Sequence, residues 1–195
     1  VQPGIVVGVF ALIFVAELPD KTMIATLIMG SRSRPLLVWI GATAAFGVHA
    51  AVAVLAGRLV ALLPHAWVEG VTALLFAGGA AYLLFVSEKE EAEAGGEEVE
   101  SAPVGLRPIG TAFVVIFVGE FGDLTQILTA NLAARYHSPL SVFVGAFAAL
   151  AMVGAIGAFG GRALLRVLPL GVIRKAGGVL LAGLAVYSLV TLIRG

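Results

Sequence analysis

The chain has no cysteine, so disulfides and thiolate metal sites are excluded. Methionine and histidine number three each, a thin supply for any soft-metal centre. Charge is also scarce: Asp, Glu, Lys and Arg make up 12% of residues, against ~25% in soluble domains. Twelve basic residues balance twelve acidic ones, so the basic excess of a nucleic-acid binder is missing. There is no nucleophile–base constellation, phosphate loop or HExxH string, and nothing points to an enzyme or a bound cofactor. Apolar residues fill the space instead, at 60% of the chain, which places it in a bilayer. The opening Val1-Gln2-Pro3 carries no basic signal-peptide region. Its lack of an initiator Met reads as a start inside a longer gene product.

A membrane-crossing helix needs about 20 mostly apolar residues. Six stretches qualify: 4–30, 36–62, 66–86, 109–134, 140–168 and 171–193. Gly30 to Pro35, Pro64-His65, an acidic segment, Tyr136 to Pro139 and Pro169 to Gly171 separate them. The fold expected is an all-α integral membrane protein of six spans. The loops after spans 1, 3 and 5 hold Arg32, Arg34, Lys89, Arg107, Arg162, Arg166, Arg174 and Lys175. The opposite side holds Arg58, Arg135 and Arg194, so the positive-inside rule puts both termini outside and the acidic segment in the cytoplasm. A short chain without a targeting extension suggests a bacterial-type inner membrane.

Seven of the twelve acidic residues crowd between Glu88 and Glu100, and Glu69 stands beside a loop. The other four belong to two strings, Glu17-Leu18-Pro19-Asp20-Lys21-Thr22 and Glu120-Phe121-Gly122-Asp123-Leu124-Thr125. Both follow E-x-x-D-x-T, 103 residues apart, each in the middle of an apolar stretch. A charge at mid-bilayer costs roughly 2.5–3.5 kcal/mol on insertion scales, so four such carboxylates imply a function.

The repetition extends beyond these strings. Pro35-Leu36 pairs with Pro139-Leu140, Gly41 with Gly145, and Gly57-Arg58 with Gly161-Arg162. Ala77 to Tyr82 matches Ala182 to Tyr187. Three spans per half is an odd number, so duplicated halves must run in opposite directions across the membrane. The expected domains are a three-helix repeat over 1–86, an acidic cytoplasmic linker over 87–108, and a second repeat over 109–195. Such inverted repeats place their sites at the repeat interface, near the midplane. The linker reads from composition as solvated and disordered.

Residues three apart share a helix face, so Glu17 with Asp20 and Glu120 with Asp123 can point into one cavity. Pro19 removes a helical N–H and leaves the Val15 carbonyl without its donor, while Gly119 and Gly122 loosen the second copy. Spans 1 and 4 are therefore expected to be distorted at the strings. Carboxylate, carbonyl and hydroxyl oxygens suit hard or borderline divalent cations such as Ca²⁺, Mg²⁺ and Mn²⁺. Four carboxylates exceed one dication by two charges, or by one with Lys21 counted, so protons or Na⁺ could replace the metal when it leaves. Thr22, Thr125 and Gln126 are further oxygen donors at that depth, although threonine hydroxyls also bond their own preceding turn. His49, in the second span, reads either as a proton carrier or as a hydrogen-bonded packing residue.

With these residues in view, the chain resembles the Gdt-type calcium/manganese exchanger family, which includes bacterial manganese exporters and Golgi calcium/manganese transporters. That family's signature is E-x-G-D-[KR]-[TS], once in each three-helix half, with an often charged loop between. The resemblance implies export of Mn²⁺ or Ca²⁺ from the cytosol against H⁺ or Na⁺, with the metal carried as substrate. By position it assigns metal binding to Glu17, Asp20, Glu120 and Asp123, with Thr22, Thr125 and Gln126 matching the surrounding pattern. Pro19 stands where the first motif has Gly, and Leu124 where the second has a basic residue. Two other readings keep a membrane fold: a cationic amino acid exporter similar to the lysine-exporter superfamily, and a passive cation channel.

Overall fold

The computed structural model describes residues 1–18, 20–85, 88–102, 106–167 and 170–194. Within them the chain forms α1 (Pro3–Glu17), α2 (Lys21–Arg32), α3 (Pro35–Val60), α4 (His65–Phe85), α5 (Glu88–Glu100), α6 (Pro108–Gly119), α7 (Leu124–Tyr136), α8 (Pro139–Val167) and α9 (Leu170–Arg194), with no strand among the described residues. Four stretches are long and apolar enough to cross a membrane: Pro35–Val60, Trp67–Phe85, Pro139–Gly160 and Lys175–Ile193. The remaining two expected spans are bent pairs, α1 with α2 and α6 with α7, each turning by 72°. Counting each pair as one crossing gives six.

Local chemistry sets these boundaries. Pro3, Pro35 and Pro108 sit in the first turns of α1, α3 and α6, where a missing N–H costs nothing. His137 closes α7 in the left-handed conformation, φ 47°. The break between α6 and α7 centres on Gly122, whose φ of +80° is strained for any residue with a β-carbon. Pro19, expected to kink the first broken span, lies outside the described residues, as do Pro103 in the linker and Pro169.

The broken helices pack on the continuous ones. α1 and α2 lie along α8, α6 and α7 lie along α3, and α4 pairs with α9. Small residues permit this closeness. Ala42 and Ala45 on α3, and Ala146 and Ala149 on α8, are wholly buried. A β-carbon at Gly145 would stand 2.7 Å from the Val6 carbonyl, and one at Gly41 would collide with the Ile109 carbonyl. Phe46, Ile13, Ile116 and Val142 complete the core. Leu55, Leu59, Leu74 and Val179 are exposed on the outside of the spans, the surface that lipid covers.

The acidic segment is where composition misled. The expected disordered linker forms helix α5, which packs on α2 and touches α6. Charge density argued for disorder, but Glu and Ala are good helix formers. One side of α5 also has a docking surface: Gly95 is buried, a β-carbon there would lie 2.8 Å from the Lys21 carbonyl, and Val99 and Ala102 pack against the core.

Candidate metal centre

The two breaks place equivalent residues at equivalent points. Glu17 is the last residue of α1, and Glu120 is the C-cap of α6. Asp20 and Asp123 are the N-caps of α2 and α7, both with extended backbone. An N-cap aspartate ordinarily bonds the N–H groups of its own first turn. Neither of these does. One carboxylate oxygen from each of Glu17, Asp20, Glu120 and Asp123 falls in a group whose members all lie within 4.8 Å of one another. Glu17 is 0% exposed, Glu120 4% and Asp20 6%, with Asp123 half-buried.

Hydroxyls and one ammonium hold the outside of this cluster. Thr22 Oγ1 donates to Glu120 Oε1, linking the two halves. Thr125 Oγ1 donates to Asp123 Oδ2 at 3.2 Å, and Tyr82 to Asp20 Oδ1 at 3.3 Å. Lys21 Nζ donates to the Gly119 carbonyl at 2.7 Å and stands 3.8 Å from Glu120 Oε1. Among the described residues no donor reaches either oxygen of Glu17 in hydrogen-bonding geometry. A buried carboxylate without donors is costly unless a cation completes it or a proton neutralises it. The cluster opens onto a cavity of about 510 Å³ whose lining includes Glu17, Asp20, Lys21, Tyr82, Asp123 and Leu124.

The structure thus brings together the four expected carboxylates, with Thr22 and Thr125 beside them. Gln126 is used differently. Its Oε1 accepts the Gly122 N–H at 2.7 Å, and its Nε2 donates to His49 Nδ1 at 2.9 Å. That leaves His49 Nε2 to donate to the Phe117 carbonyl at 3.1 Å. Phe117 would pair with Phe121 N–H in an unbroken helix, but that N–H turns to Val118. The chain Gly122–Gln126–His49–Phe117 therefore satisfies backbone groups on both sides of the break. His49 is buried, and this bonding matches the packing reading of that residue.

Two groups escaped the sequence reading. Glu69, set beside a loop there, is 3% exposed in the second turn of α4, where α7 and α9 pack over it. It pairs with Arg135 of α7 at 3.3 Å and accepts from Ser188 of α9 at 2.8 Å. The available signal was a lone acid four residues inside an apolar helix. The second is Glu98 of α5, which forms an ion pair with Lys21 at 2.8 Å. Nothing in composition separates it from its six acidic neighbours.

Fold and site together define a helical membrane protein in which two broken helices meet at a buried carboxylate cluster, the class of membrane cation carriers. More particularly, the chain belongs to the GDT1 family of divalent cation/proton antiporters, whose family model matches residues 5–91 and 108–194. It is 35% identical over 179 residues to a Vibrio cholerae protein described as a candidate manganese exporter, covering 87% of this chain and 84% of that one. It is 27% identical over 209 residues to the chloroplastic GDT1-like protein 1 of Oryza sativa subsp. indica, covering 94% of this chain and 61% of the relative. For the chloroplastic protein PAM71 of Arabidopsis thaliana the identity is 30% over 209 residues, covering 93% and 56%. The chain spans about three fifths of the length of these plant relatives. No solved structure matches it. The family resemblance seen in the two acidic strings is borne out.

Proposed function

We propose that this protein exchanges Mn²⁺ or Ca²⁺ for protons across a membrane, with Glu17, Asp20, Glu120 and Asp123 as the ligands of the transported cation. The observation that carries this is the four-carboxylate group within 4.8 Å, in which no donor among the described residues meets either Glu17 oxygen in hydrogen-bonding geometry. An all-oxygen site of that charge suits a hard or borderline dication. At each break a C-terminal end (α1, α6) meets an N-terminal end (α2, α7), so the half-helix dipoles oppose one another and the carboxylates supply the attraction for a cation. Thr22 and Thr125 orient Glu120 and Asp123 from outside, and Gln126 acts on the break through Gly122 and His49.

The two halves, 1–86 and 109–195, rock against one another as inverted repeats, with 87–108 joining them. Reciprocal packing supports the duplication. Gly41 of α3 meets Ile109 at the start of α6, and its counterpart Gly145 of α8 meets Val6 at the start of α1. The distribution of Lys and Arg favours termini outside and the acidic helix in the cytoplasm, and the exporter description of the Vibrio cholerae relative favours export as the direction. The Vibrio cholerae relative favours manganese among the substrates, and we place the protein in a bacterial-type inner membrane.

The test is Mn²⁺ uptake into proteoliposomes, with lysine as competitor and membrane current recorded in parallel. Saturable uptake that excess lysine leaves unchanged is expected. Inhibition by lysine would assign an organic cation instead, and large uncoupled currents would assign a channel.

A further inference from the structure

We propose that Glu98 of the acidic helix α5 tethers Lys21 away from the carboxylate cluster and so keeps that cluster available to a divalent cation. The inference rests on the reading of the four carboxylates as cation ligands. Lys21 is the one basic side chain in the cavity lining among the described residues, and its ammonium has three N–H donors to place. It reaches Glu98 Oε1 at 2.8 Å and the Gly119 carbonyl at 2.7 Å, while Glu120 Oε1 stands farther off at 3.8 Å. The ammonium is therefore divided between the acidic helix and the site, and closer to the helix.

The docking of α5 is built around this contact. A β-carbon at Gly95 would lie 2.8 Å from the Lys21 carbonyl, and one at Gly119 would lie 2.6 Å from Glu98 Oε1. Both glycines therefore clear space where α5 meets the two breaks. The Glu98 and Lys21 side chains are 17% and 20% exposed, so water screens the pair only in part. The other Glu98 oxygen is buried and accepts no hydrogen bond from the described residues. Without the Glu98 charge, Glu120 becomes the nearest anion to the ammonium. Lys21 then moves onto Glu120 and competes with the incoming metal for its oxygen. Glu98 is in this sense a positioning residue, acting through Lys21 on the affinity of the site.

The experiment measures KM and kcat for Mn²⁺ uptake in proteoliposomes for wild type, Glu98→Gln, Lys21→Met and the double variant. Glu98→Gln is expected to raise KM by about tenfold, equivalent to about 1.4 kcal/mol, with kcat little changed. Lys21→Met lowers KM, and adding Glu98→Gln to it changes nothing further, because the competitor is already gone. Gly95→Val, which pushes α5 off α2 without altering any charge, raises KM as Glu98→Gln does. A wild-type KM in Glu98→Gln overturns the tether. So does a rise in KM that persists undiminished in the Lys21→Met background, since Glu98 would then act as a ligand or through its field alone. Wild-type protein that takes up no Mn²⁺ removes the cation reading and the tether with it, whereas normal wild-type uptake with unaffected variants removes the tether alone.

Discussion

Glu17→Gln yields a protein that assembles in the membrane and no longer transports Mn²⁺. The change swaps one carboxylate oxygen for an amide of nearly the same shape, so the packing around a fully buried side chain is preserved. Among the described residues no well-formed hydrogen bond to Glu17 is lost, since neither oxygen meets a donor in hydrogen-bonding geometry. Burying an unpaired charge is costly, so the variant is expected to unfold in detergent at the wild-type temperature or above. Transport is the opposite case. Residues that merely support a metal ligand already cost 10–100-fold in affinity when changed. Loss of a ligand is therefore expected to lower kcat/KM for Mn²⁺ by at least about 100-fold. Asp123→Asn should do the same, since Asp123 supplies the corresponding oxygen from the second break. Wild-type uptake by either variant would sink the ligand assignment, and unfolding of both would show that these carboxylates hold the helices together instead.

Acidification is expected to weaken Mn²⁺ binding steeply. The sign follows from the exchange itself: a protonated carboxyl neither coordinates nor attracts a cation, so protons must leave the cluster as the metal enters. Apparent affinity then falls by about tenfold per pH unit for one displaced proton, and about 100-fold for two, across the range where the cluster titrates. The binding is fully developed on the alkaline side of that range and is lost as pH falls through it. Measured KM values across a pH series give the slope directly. A flat profile with intact transport would point to Na⁺ as the exchanged ion.

Much of this architecture is legible in the residues, and the exceptions have physical causes. The six apolar stretches follow from composition and length alone, and the helices, with each bent pair counted as one stretch, begin and end within a residue or two of those limits. Both breaks were foreseeable from glycine or proline beside carboxylates at membrane depth, and Gly122 shows why, since its backbone angle suits only glycine. The convergence of Glu17, Asp20, Glu120 and Asp123 followed from two copies of one spacing. Helix α5 did not follow, because its order comes from a fitted contact: a glycine against a carbonyl, and one acid of seven against Lys21. Glu69 was missed for a related reason, as its partners Arg135 and Ser188 lie on helices far away in sequence. Gln126 reads as a ligand by position, but its amide is committed to Gly122 and His49, a geometry that spacing cannot convey.

The most direct measurement is of protons released when Mn²⁺ is added to protein reconstituted in vesicles holding a pH gradient, with Asp20→Asn as the control. The proposed exchange predicts proton movement that starts with Mn²⁺ or Ca²⁺, saturates with the metal and disappears in Asp20→Asn. Metal uptake by the wild type with no accompanying proton movement would contradict it.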